Sequence, residues 1–383
     1  MGELLARLAS GELREVVEQH YFGLLQRMVD ASVSRPRGLG LLVAAGYRLV
    51  SLLGVVPGRV PGAGSIVRDM NMLMLLDMVY GGREYGELVE VLDEEGRQTL
   101  SEYLCVLACN VGLEELCCSR RMAERGERLA SVRRRVRVAR RLRARHTCGR
   151  RFMLLEVFDN IGPPRILSDS LDIVVESLAS LTPGFLRRVT GEACSLAVVD
   201  VGAYNGETSM RYAALAESLG ARSLVYAVEP DPVSYRVLSF NARLLGYPVV
   251  PVNAFLSDRE GVEELVSRGP SSSMGSLAGR RGGVAVKVLP AWRVASEAVS
   301  RLPGAHLHVR IDTEGAEGQV VKGLLPILER VEGFSVEVAV YHRLGDLLRF
   351  YRVFSGHADG FTLTWSSLDF RDLMLVAYRW GRR

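Results

Sequence analysis

Short apolar runs alternate with amphipathic segments along the second half of the chain, which is the pattern of an α/β sheet. Residues 198–201 form the first run, in which Asp200 is the one polar residue. Such a run predicts a buried strand of a parallel sheet. Two glycines and an amphipathic segment follow, so the predicted unit is a strand, a tight turn and a helix.

Further apolar runs predict the remaining strands of the same sheet. They lie at residues 224–228, 249–255, 306–311, 334–340, 361–366 and 372–379. Between the second and third runs, Asp231 and Pro232 begin a predicted helix that Gly246 ends. The sequence therefore predicts a Rossmann-like, seven-stranded α/β sheet, which binds ligands at the carboxyl ends of its strands.

The N-terminal part of the chain has a different pattern. Apolar positions at helical spacing in residues 4–30 and 70–78 predict helices. We therefore predict an α-helical N-terminal region of unknown role at residues 1–160 and the sheet domain at residues 161–383.

Residues 39–56 are strongly apolar, and their length is near the ~20 residues that a membrane-spanning helix needs. Arg48 near the middle costs roughly 3 kcal/mol in a bilayer, so a buried or surface-lying helix is the favoured interpretation. Peripheral membrane contact through this segment stays open. The chain does not start with a basic residue cluster followed by an apolar core. A signal peptide is therefore not expected. We expect a cytoplasmic location.

Composition adds a basic segment and a set of cysteines. Residues 120–151 contain 14 arginines against two acidic residues, and the apolar residues between them predict a helix. A solvated helical face or a linker is the ordinary interpretation, and a surface for an anionic partner such as nucleic acid is the alternative. The cysteines show no zinc-ligand spacing. Cys105 and Cys109 share a helix face and are interpreted as buried thiols, with a disulfide as the alternative in a hyperthermophile.

The glycine turn after the first strand indicates the class of ligand. A dinucleotide site typically has three glycines as G-x-G-x-x-G, but here only Gly202 and Gly206 stand beside Ala203 and Tyr204. Asp200, just before the turn, repels a pyrophosphate and attracts a cation. S-adenosylmethionine carries an ammonium and a sulfonium and no phosphate, so it suits these residues better. A tight turn without a ligand is the alternative.

Residues at the ends of the next two strands complete the predicted cofactor site. Glu229 ends the second strand, where a carboxylate accepts hydrogen bonds from ribose hydroxyls. Asn253, Ala254 and Asp258 follow the third strand and are predicted to border the adenine, although an ordinary turn explains Asp258 nearly as well. Residues 269–283 are rich in serine and glycine and predict a mobile loop, either a lid or a linker.

Acidic residues gather after the fourth strand. Asp312 and Glu314 lie at its carboxyl end, where such crowding is costly unless a cation or a proton is shared. These two residues and His342, after the fifth strand, are the candidate catalytic residues. Asp312 is the first candidate for the base, and for His342 a surface histidine is the alternative. A divalent metal held by Asp312 and Glu314 is another means of activating a hydroxyl.

Four motifs in this order resemble the FkbM family of S-adenosylmethionine-dependent methyltransferases. They are Asp200-Val-Gly-Ala-Tyr-Asn-Gly-Glu, Val228-Glu229-Pro230-Asp-Pro, Asn253-Ala-Phe-Leu-Ser-Asp-Arg-Glu-Gly261 and Arg310-Ile-Asp312-Thr-Glu314-Gly-Ala-Glu317. The resemblance covers residues 195–345, and Arg310 stands where the family commonly has lysine. It implies a class I methyltransferase fold and methyl transfer to a hydroxyl of a sugar, lipid-linked glycan or secondary metabolite.

The resemblance therefore implies a small-molecule or glycan acceptor as the partner, and two other functions stay open. An RNA-modifying methyltransferase that uses the arginine-rich segment is one, and its RNA binding is expected to fall steeply with salt. A non-catalytic protein that binds the cofactor is the other, and it is expected to bind without transferring a methyl group.

Overall fold

The structure of the protein is a computed structural model. It describes residues 2–10, 12–13, 16–17, 71, 74–75, 77–78, 81–111, 127, 131, 134, 136–142, 152–157, 165–168, 174, 195–266, 273–274, 283–366 and 372–381. The chain divides into two compact units. The first contains residues 1–123, 340–353 and 361–363, and the second contains residues 124–339, 354–360 and 364–383.

The described residues form the following helices and strands. The helices are α1 (Gly2–Ser10), α2 (Gly82–Val91), α3 (Glu94–Val111), α4 (Glu207–Ser218), α5 (Pro232–Leu245), α6 (Ala291–Arg301), α7 (Glu317–Leu328) and α8 (Asp346–Phe354). The strands are β1 (Val136–Leu142), β2 (Phe152–Val157), β3 (Arg165–Ser168), β4 (Ser195–Val201), β5 (Arg222–Val228), β6 (Val249–Val252), β7 (Phe255–Ser257), β8 (Gly261–Val266), β9 (Ser273–Met274), β10 (Val284–Pro290), β11 (His306–Ile311), β12 (Phe334–Ala339), β13 (Gly360–Trp365) and β14 (Leu373–Arg379).

The first unit contains α1, α2, α3 and most of α8. α1 packs on α2, where a Cβ added to Gly86 would lie 3.3 Å from the Cβ of Ala9. Leu8 and Leu88 are fully buried in these two helices. The helix predicted at residues 4–30 is confirmed over the part that α1 describes.

Cys105 and Cys109 in α3 are both disulfide-bonded. Residues four apart in a helix lie on the same face. The interpretation of these two cysteines as buried thiols is therefore wrong, and the alternative of a disulfide describes them.

Seven strands form the main sheet in the order β13-β14-β12-β11-β4-β5-β6. Neighbours from β12 to β6 pair in parallel, and β14 runs antiparallel to β12. Read from the β6 edge and numbered along the chain, the order is 3-2-1-4-5-7-6, which is that of class I methyltransferases. The predicted Rossmann-like fold is confirmed. β4 and β11 are buried at every position, as expected of central strands covered on both faces.

Among the described residues, two smaller sheets accompany the main one, β1-β2-β3 and β7-β10-β8-β9. β1 lies inside the arginine-rich segment, so the helix predicted there is wrong for residues 136–142. Val136 and Val138 are two residues apart, which is the spacing of one face of a strand. β1 and β2 belong to the second unit, which begins at residue 124 rather than at residue 161.

Several predictions fall mainly outside the described residues. The apolar segment 39–56 is one, and the loop predicted at residues 269–283 is another apart from β9 and residue 283. Among the residues that the structure describes, no helix combines the length and the apolar character needed to cross a bilayer. Peripheral membrane contact through residues 39–56 stays a prediction.

Candidate functional site

The two halves of the main sheet meet at β4 and β11. From β4 the chain continues through α4 to β5 on one side, whereas β11 lies on the other side and continues through α7 to β12. Open α/β sheets bind ligands at the carboxyl ends of the strands where the order reverses in this way. The Asp312 amide donates a 3.0 Å hydrogen bond to the Val201 carbonyl. The glycine turn and the acidic motif therefore meet at this point.

Gly202 lies where the two strand ends touch. Its φ is 87°, and a Cβ built on it would lie 2.0 Å from the carbonyl oxygen of Asp312. Because no side chain fits at that distance, the backbone requires glycine here. Gly206 has a φ of 90° before α4, and its Cβ would lie 2.5 Å from Cδ1 of Leu238. Both predicted glycines are therefore needed to build the turn.

Glu229 holds this turn from the end of β5. Its Oε2 accepts a hydrogen bond from the Tyr204 amide, and its Oε1 accepts one from the Asp231 amide, each at 2.8 Å. Glu229 is 6% exposed. Tyr204 has a φ of 49°, which is uncommon for a residue other than glycine. The Ala203 amide donates to the Val228 carbonyl at 3.0 Å. Glu229, which is predicted to bind the cofactor's ribose, thus lies beside the turn and fixes the shape of the turn.

Asn253 lies next to Glu229, and its predicted contact with adenine stays a prediction. It is exposed at the end of β6, and its Nδ2 donates to the carbonyl oxygens of Glu229 at 2.8 Å and Pro230 at 3.1 Å. Ala254 follows and is buried. The carboxyl ends of β5 and β6 are therefore joined by one side chain.

Asp258 lies after β7, which belongs to the four-stranded sheet. Its carboxylate accepts hydrogen bonds from the Ser257 hydroxyl at 3.1 Å and from Nζ of Lys322 at 2.5 Å. The bond from Lys322 lowers the pKa of Asp258. These contacts favour the ordinary-turn interpretation, and contact between Asp258 and adenine stays a prediction.

Arg310 joins the two central strand ends, although it was not predicted as a site residue from the sequence. It is 8% exposed. Its Nη2 donates to Oδ2 of Asp312 at 2.7 Å and to the Ser366 hydroxyl at 2.9 Å, and its Nη1 lies 3.5 Å from Oδ1 of Asp200. Burial lowers the pKa of Arg310, but Asp312 and Asp200 outweigh it and raise the pKa well above its ordinary value.

Asp200 is fully buried, and the Ser209 hydroxyl donates to its Oδ2 at 2.6 Å. Burial raises the pKa of Asp200, and the charge of Arg310 and the bond from Ser209 oppose that shift. A carboxylate in this position is suited to hold Arg310 and α4. Its burial disfavours the direct cofactor contact that the sequence indicates, and that contact stays a prediction.

The three acidic residues of the fourth-strand motif have different surroundings. The side chain of Asp312 is 17% exposed, and Glu314 is exposed with a φ of 54°. Glu317 is 1% exposed, and its Oε1 accepts hydrogen bonds from the amides of Thr313 at 2.9 Å and Gly315 at 3.1 Å. Glu317 therefore orders the loop, and the candidate catalytic residues Asp312 and Glu314 retain exposed surface.

His342 belongs to the first unit, whereas Asp312 and Glu314 belong to the second. Its ring is half-buried and lies against the ring of Tyr341, with centroids 4.2 Å apart and planes tilted by 48°. The assignment of His342 as a catalytic base stays a prediction.

Further buried polar residues lie on and beside the central strands, away from their carboxyl ends, and were not predicted from the sequence. Nδ1 of His308 lies 2.8 Å from the Ser335 hydroxyl, and its Nε2 lies 3.3 Å from the Tyr212 hydroxyl. Nε2 of His306 lies 3.1 Å from the same Ser335 hydroxyl. Tyr212 donates to Oε2 of Glu337 at 3.1 Å. The available signal was the alternation of polar and apolar residues through β11, which is unusual for a central parallel strand.

Comparison with known proteins finds likeness in structure alone. No family model matches the chain, and no curated protein matches it. The methyltransferase FkbM from Methylobacillus flagellatus KT is 16% identical with a TM-score of 0.36, and the match covers 68% of this chain and 60% of that one. A precorrin-6y C5,15-methyltransferase from Geobacter metallireducens GS-15 is 11% identical with a TM-score of 0.28, covering 49% of this chain and 79% of that one. The fold assignment rests on the strand order of the main sheet.

Proposed function

We propose that the protein is an S-adenosylmethionine-dependent methyltransferase that methylates a hydroxyl of a sugar, glycan or secondary metabolite. The observation that carries this proposal is the meeting of Gly202, Glu229 and Asp312 at the carboxyl ends of the central strands. This is the place where an open α/β sheet binds its ligand.

The charges at this point favour a cationic ligand over a phosphate. Glu229, Asp312 and Glu314 all lie at strand ends, whereas Arg310 is buried and already bonded to Asp312. A pyrophosphate placed here meets carboxylates, whereas an ammonium or a sulfonium meets opposite charge. The donor set therefore fits adenosylmethionine better than a dinucleotide.

Individual residues match parts of that cofactor. Glu229 would accept hydrogen bonds from the ribose hydroxyls. A carboxylate offers about four acceptor positions, so its bonds to Tyr204 and Asp231 do not by themselves exclude a ribose. Asn253 would border the adenine, and the backbone of the turn at Gly202 would border the methionine end. When bound, the cofactor supplies a methyl group on a sulfonium that is activated for in-line displacement.

Asp312 accepts the proton of the acceptor hydroxyl in this proposal. Its side chain is partly exposed, and Arg310 fixes its Oδ2 at 2.7 Å. A positioned base typically contributes about 100- to 10,000-fold to such a step. Glu314 is the other candidate in the second unit, since it retains exposed surface. A catalytic role for His342 stays a prediction.

Titration calorimetry with adenosylmethionine and its demethylated product tests the cofactor site. Glu229→Gln is expected to weaken binding about tenfold or more, because an amide replaces one acceptor oxygen with a donor. Glu297→Gln is the matched control, since Glu297 lies on α6 and accepts a 2.8 Å hydrogen bond from Tyr226. No binding by the unaltered protein, or equal affinity in the two variants, contradicts the proposed site.

Incubation with methyl-labelled cofactor and fractionated extracts tests the reaction. Asp312→Asn is expected to keep cofactor affinity within about threefold and to lower turnover about 100-fold or more. Label that enters only RNA, with retention on RNA lost steeply at high salt, supports the RNA-modifying alternative instead. Cofactor binding without transfer into any fraction supports the non-catalytic alternative.

A further inference from the structure

Asn241 bonds the three-stranded sheet to the glycine turn. It is fully buried on α5. Its Oδ1 accepts a hydrogen bond from the Leu167 amide of β3, and its Nδ2 donates to the Leu167 carbonyl, each at 2.9 Å. The same Nδ2 donates to the carbonyl of Asn205 at 2.8 Å. One side chain thus joins β3 to the residue immediately before Gly206.

Ser168 makes a second connection between the same two elements. Its hydroxyl is fully buried, donates to Oε1 of Glu207 at 2.6 Å and accepts from Nδ2 of Asn205 at 3.3 Å. Glu207 is the first residue of α4 and is 3% exposed. We name Ser168, Asn205, Glu207 and Asn241 the β3 latch.

Apolar packing surrounds the latch and already holds the small sheet in place. Leu155 and Ile166 of that sheet cluster with Met210 of α4 and Leu238 of α5, and all four are fully buried. Apolar contacts have no preferred direction, whereas hydrogen bonds fix the register of the groups that they join. A buried hydrogen bond adds only about 0.5–1.5 kcal/mol to the net free energy of unfolding. We therefore expect the main contribution of the latch to be the orientation of the groups that it joins.

The latch and Glu229 hold consecutive parts of one turn. Glu229 binds the amide of Tyr204, and the latch binds Asn205 and Glu207. A displacement of β3 therefore moves the backbone on which the cofactor turn is built. We infer that Ser168 and Asn241 are positioning residues for the cofactor, through which the three-stranded sheet sets the affinity of the turn. This inference rests on the proposed function.

Steady-state kinetics separate positioning from ordinary stabilisation. Ser168→Ala and Asn241→Leu are expected to raise the KM for adenosylmethionine about tenfold and to leave kcat within about twofold. The reason for the unchanged kcat is that the acidic residues after β11 are not altered. A lower kcat with an unchanged KM would overturn the inference.

Two variants of the same helix serve as controls. Ser239→Ala removes a hydroxyl from α5 outside the latch, and Val237→Ala removes buried apolar volume there. Val237→Ala is expected to lower the melting temperature while the KM stays within about twofold. A KM that simply follows melting temperature across all four variants would also overturn the inference.

Hydrogen exchange distinguishes failure of this inference from failure of the proposed function. The amides of Gly206 and Met210 are hydrogen-bonded within the turn and the start of α4. In the ligand-free protein, Asn241→Leu is expected to speed their exchange more than Val237→Ala does. Equal exchange rates of these amides in the two variants would overturn the inferred role of the latch, whichever ligand the protein binds. Faster exchange in Asn241→Leu, together with no binding of adenosylmethionine by the unaltered protein, contradicts the proposed function but supports the coupling between β3 and the turn.

Discussion

Two mostly buried polar clusters lie at opposite ends of β11 and differ in charge. The carboxyl-end cluster consists of Asp200, Arg310 and Asp312. The amino-end cluster consists of His306, His308, Ser335, Tyr212 and Glu337, whose Oε2 lies 3.6 Å from Nε2 of His308. An arginine lies between two carboxylates in the first. Burial, with a smaller effect of His308, lowers the pKa of His306 to about 3 in the second, so this ring is neutral near neutral pH.

The difference between the clusters shows that burial alone does not mark a functional site. His308 and Ser335 are fully buried, and His306 is 5% exposed. The carboxyl-end cluster is also mostly buried, but it lies where the strand order reverses and its Asp312 side chain is 17% exposed. Position at the strand ends and exposure therefore distinguish the cluster that can meet a ligand from the one that packs the core.

Arg310→Met gives the largest expected effect on stability. It leaves the carboxylates of Asp200 and Asp312 without their buried cation, which typically costs about 3–5 kcal/mol. Urea denaturation is expected to show this loss in the free energy of unfolding. Arg310→Lys is expected to lose less, because it keeps the charge and gives up the forked geometry.

Arg301→Met is the matched control for this variant. Arg301 lies at the end of α6 and donates to the Tyr226 hydroxyl at 3.1 Å. Because it is solvated, its removal is expected to change the unfolding transition little. Similar losses in Arg301→Met and Arg310→Met would remove the distinction drawn for the carboxyl-end cluster.

Ser335→Ala probes the amino-end cluster and is expected to cost less. It removes the hydroxyl shared by the ring nitrogens of His306 and His308. Leaving a buried polar group without its partner costs about 1–3 kcal/mol, so we expect a loss of about 2 kcal/mol by urea denaturation. Ser300→Ala, at an exposed hydroxyl of α6, is the control. Equal values for the two variants would contradict the assigned hydrogen bonds.

The turn and the main sheet could be predicted from sequence because their signals are local. Each strand is one apolar run, and parallel strands bring their carboxyl ends to one edge. Gly202, Glu229 and Asp312 therefore converge although they are far apart in sequence. The helix predicted for the arginine-rich segment is wrong at residues 136–142 because the apolar residues there fit both periods, and the two-residue spacing of Val136 and Val138 describes β1.

Arg310 and Asn241 escaped prediction because their partners are distant. Arg310 meets Asp200 across 110 positions, and Asn241 meets Leu167 across 74. A single sequence shows that a polar residue stands in an apolar element, but it does not show which distant group satisfies it. Arg310 gave that signal in β11, whereas Asn241 is one of several polar residues of α5 and gave none.

The pH dependence of the free energy of unfolding tests the amino-end cluster through His306. The folded-state pKa of His306 is about 3 against about 6.5 in the unfolded chain. The unfolded state therefore binds more protons between these values, and stability falls as the pH drops below about 6.5. Linkage gives a loss of roughly 1.5 kcal/mol between pH 6.5 and 5 from this residue. The raised pKa of Asp200 acts in the opposite direction.

Denaturation of the unaltered protein and of His306→Gln across this range isolates the histidine contribution. The variant retains the groups around the ring, including His308, Ser335 and Trp380, but has no proton to bind at residue 306. Its stability is expected to fall less steeply with acid. Parallel curves for the two proteins would show that His306 is not held neutral by burial.

Asp258→Asn is expected to change the free energy of unfolding least. It compares an exposed ion pair with the buried pair of the carboxyl-end cluster. Asp258 pairs with Lys322 as Asp200 pairs with Arg310, but the Lys322 side chain is 72% exposed. Water and salt screen such a pair, so the loss in unfolding free energy is expected to stay below about 1 kcal/mol and to vanish in about 1 M salt. The lowered pKa of Asp258 means that its contribution is present above about pH 4 and disappears as the pH falls. A loss from Asp258→Asn as large as that from Arg310→Met would show that pairing rather than burial sets the energetics of both sites.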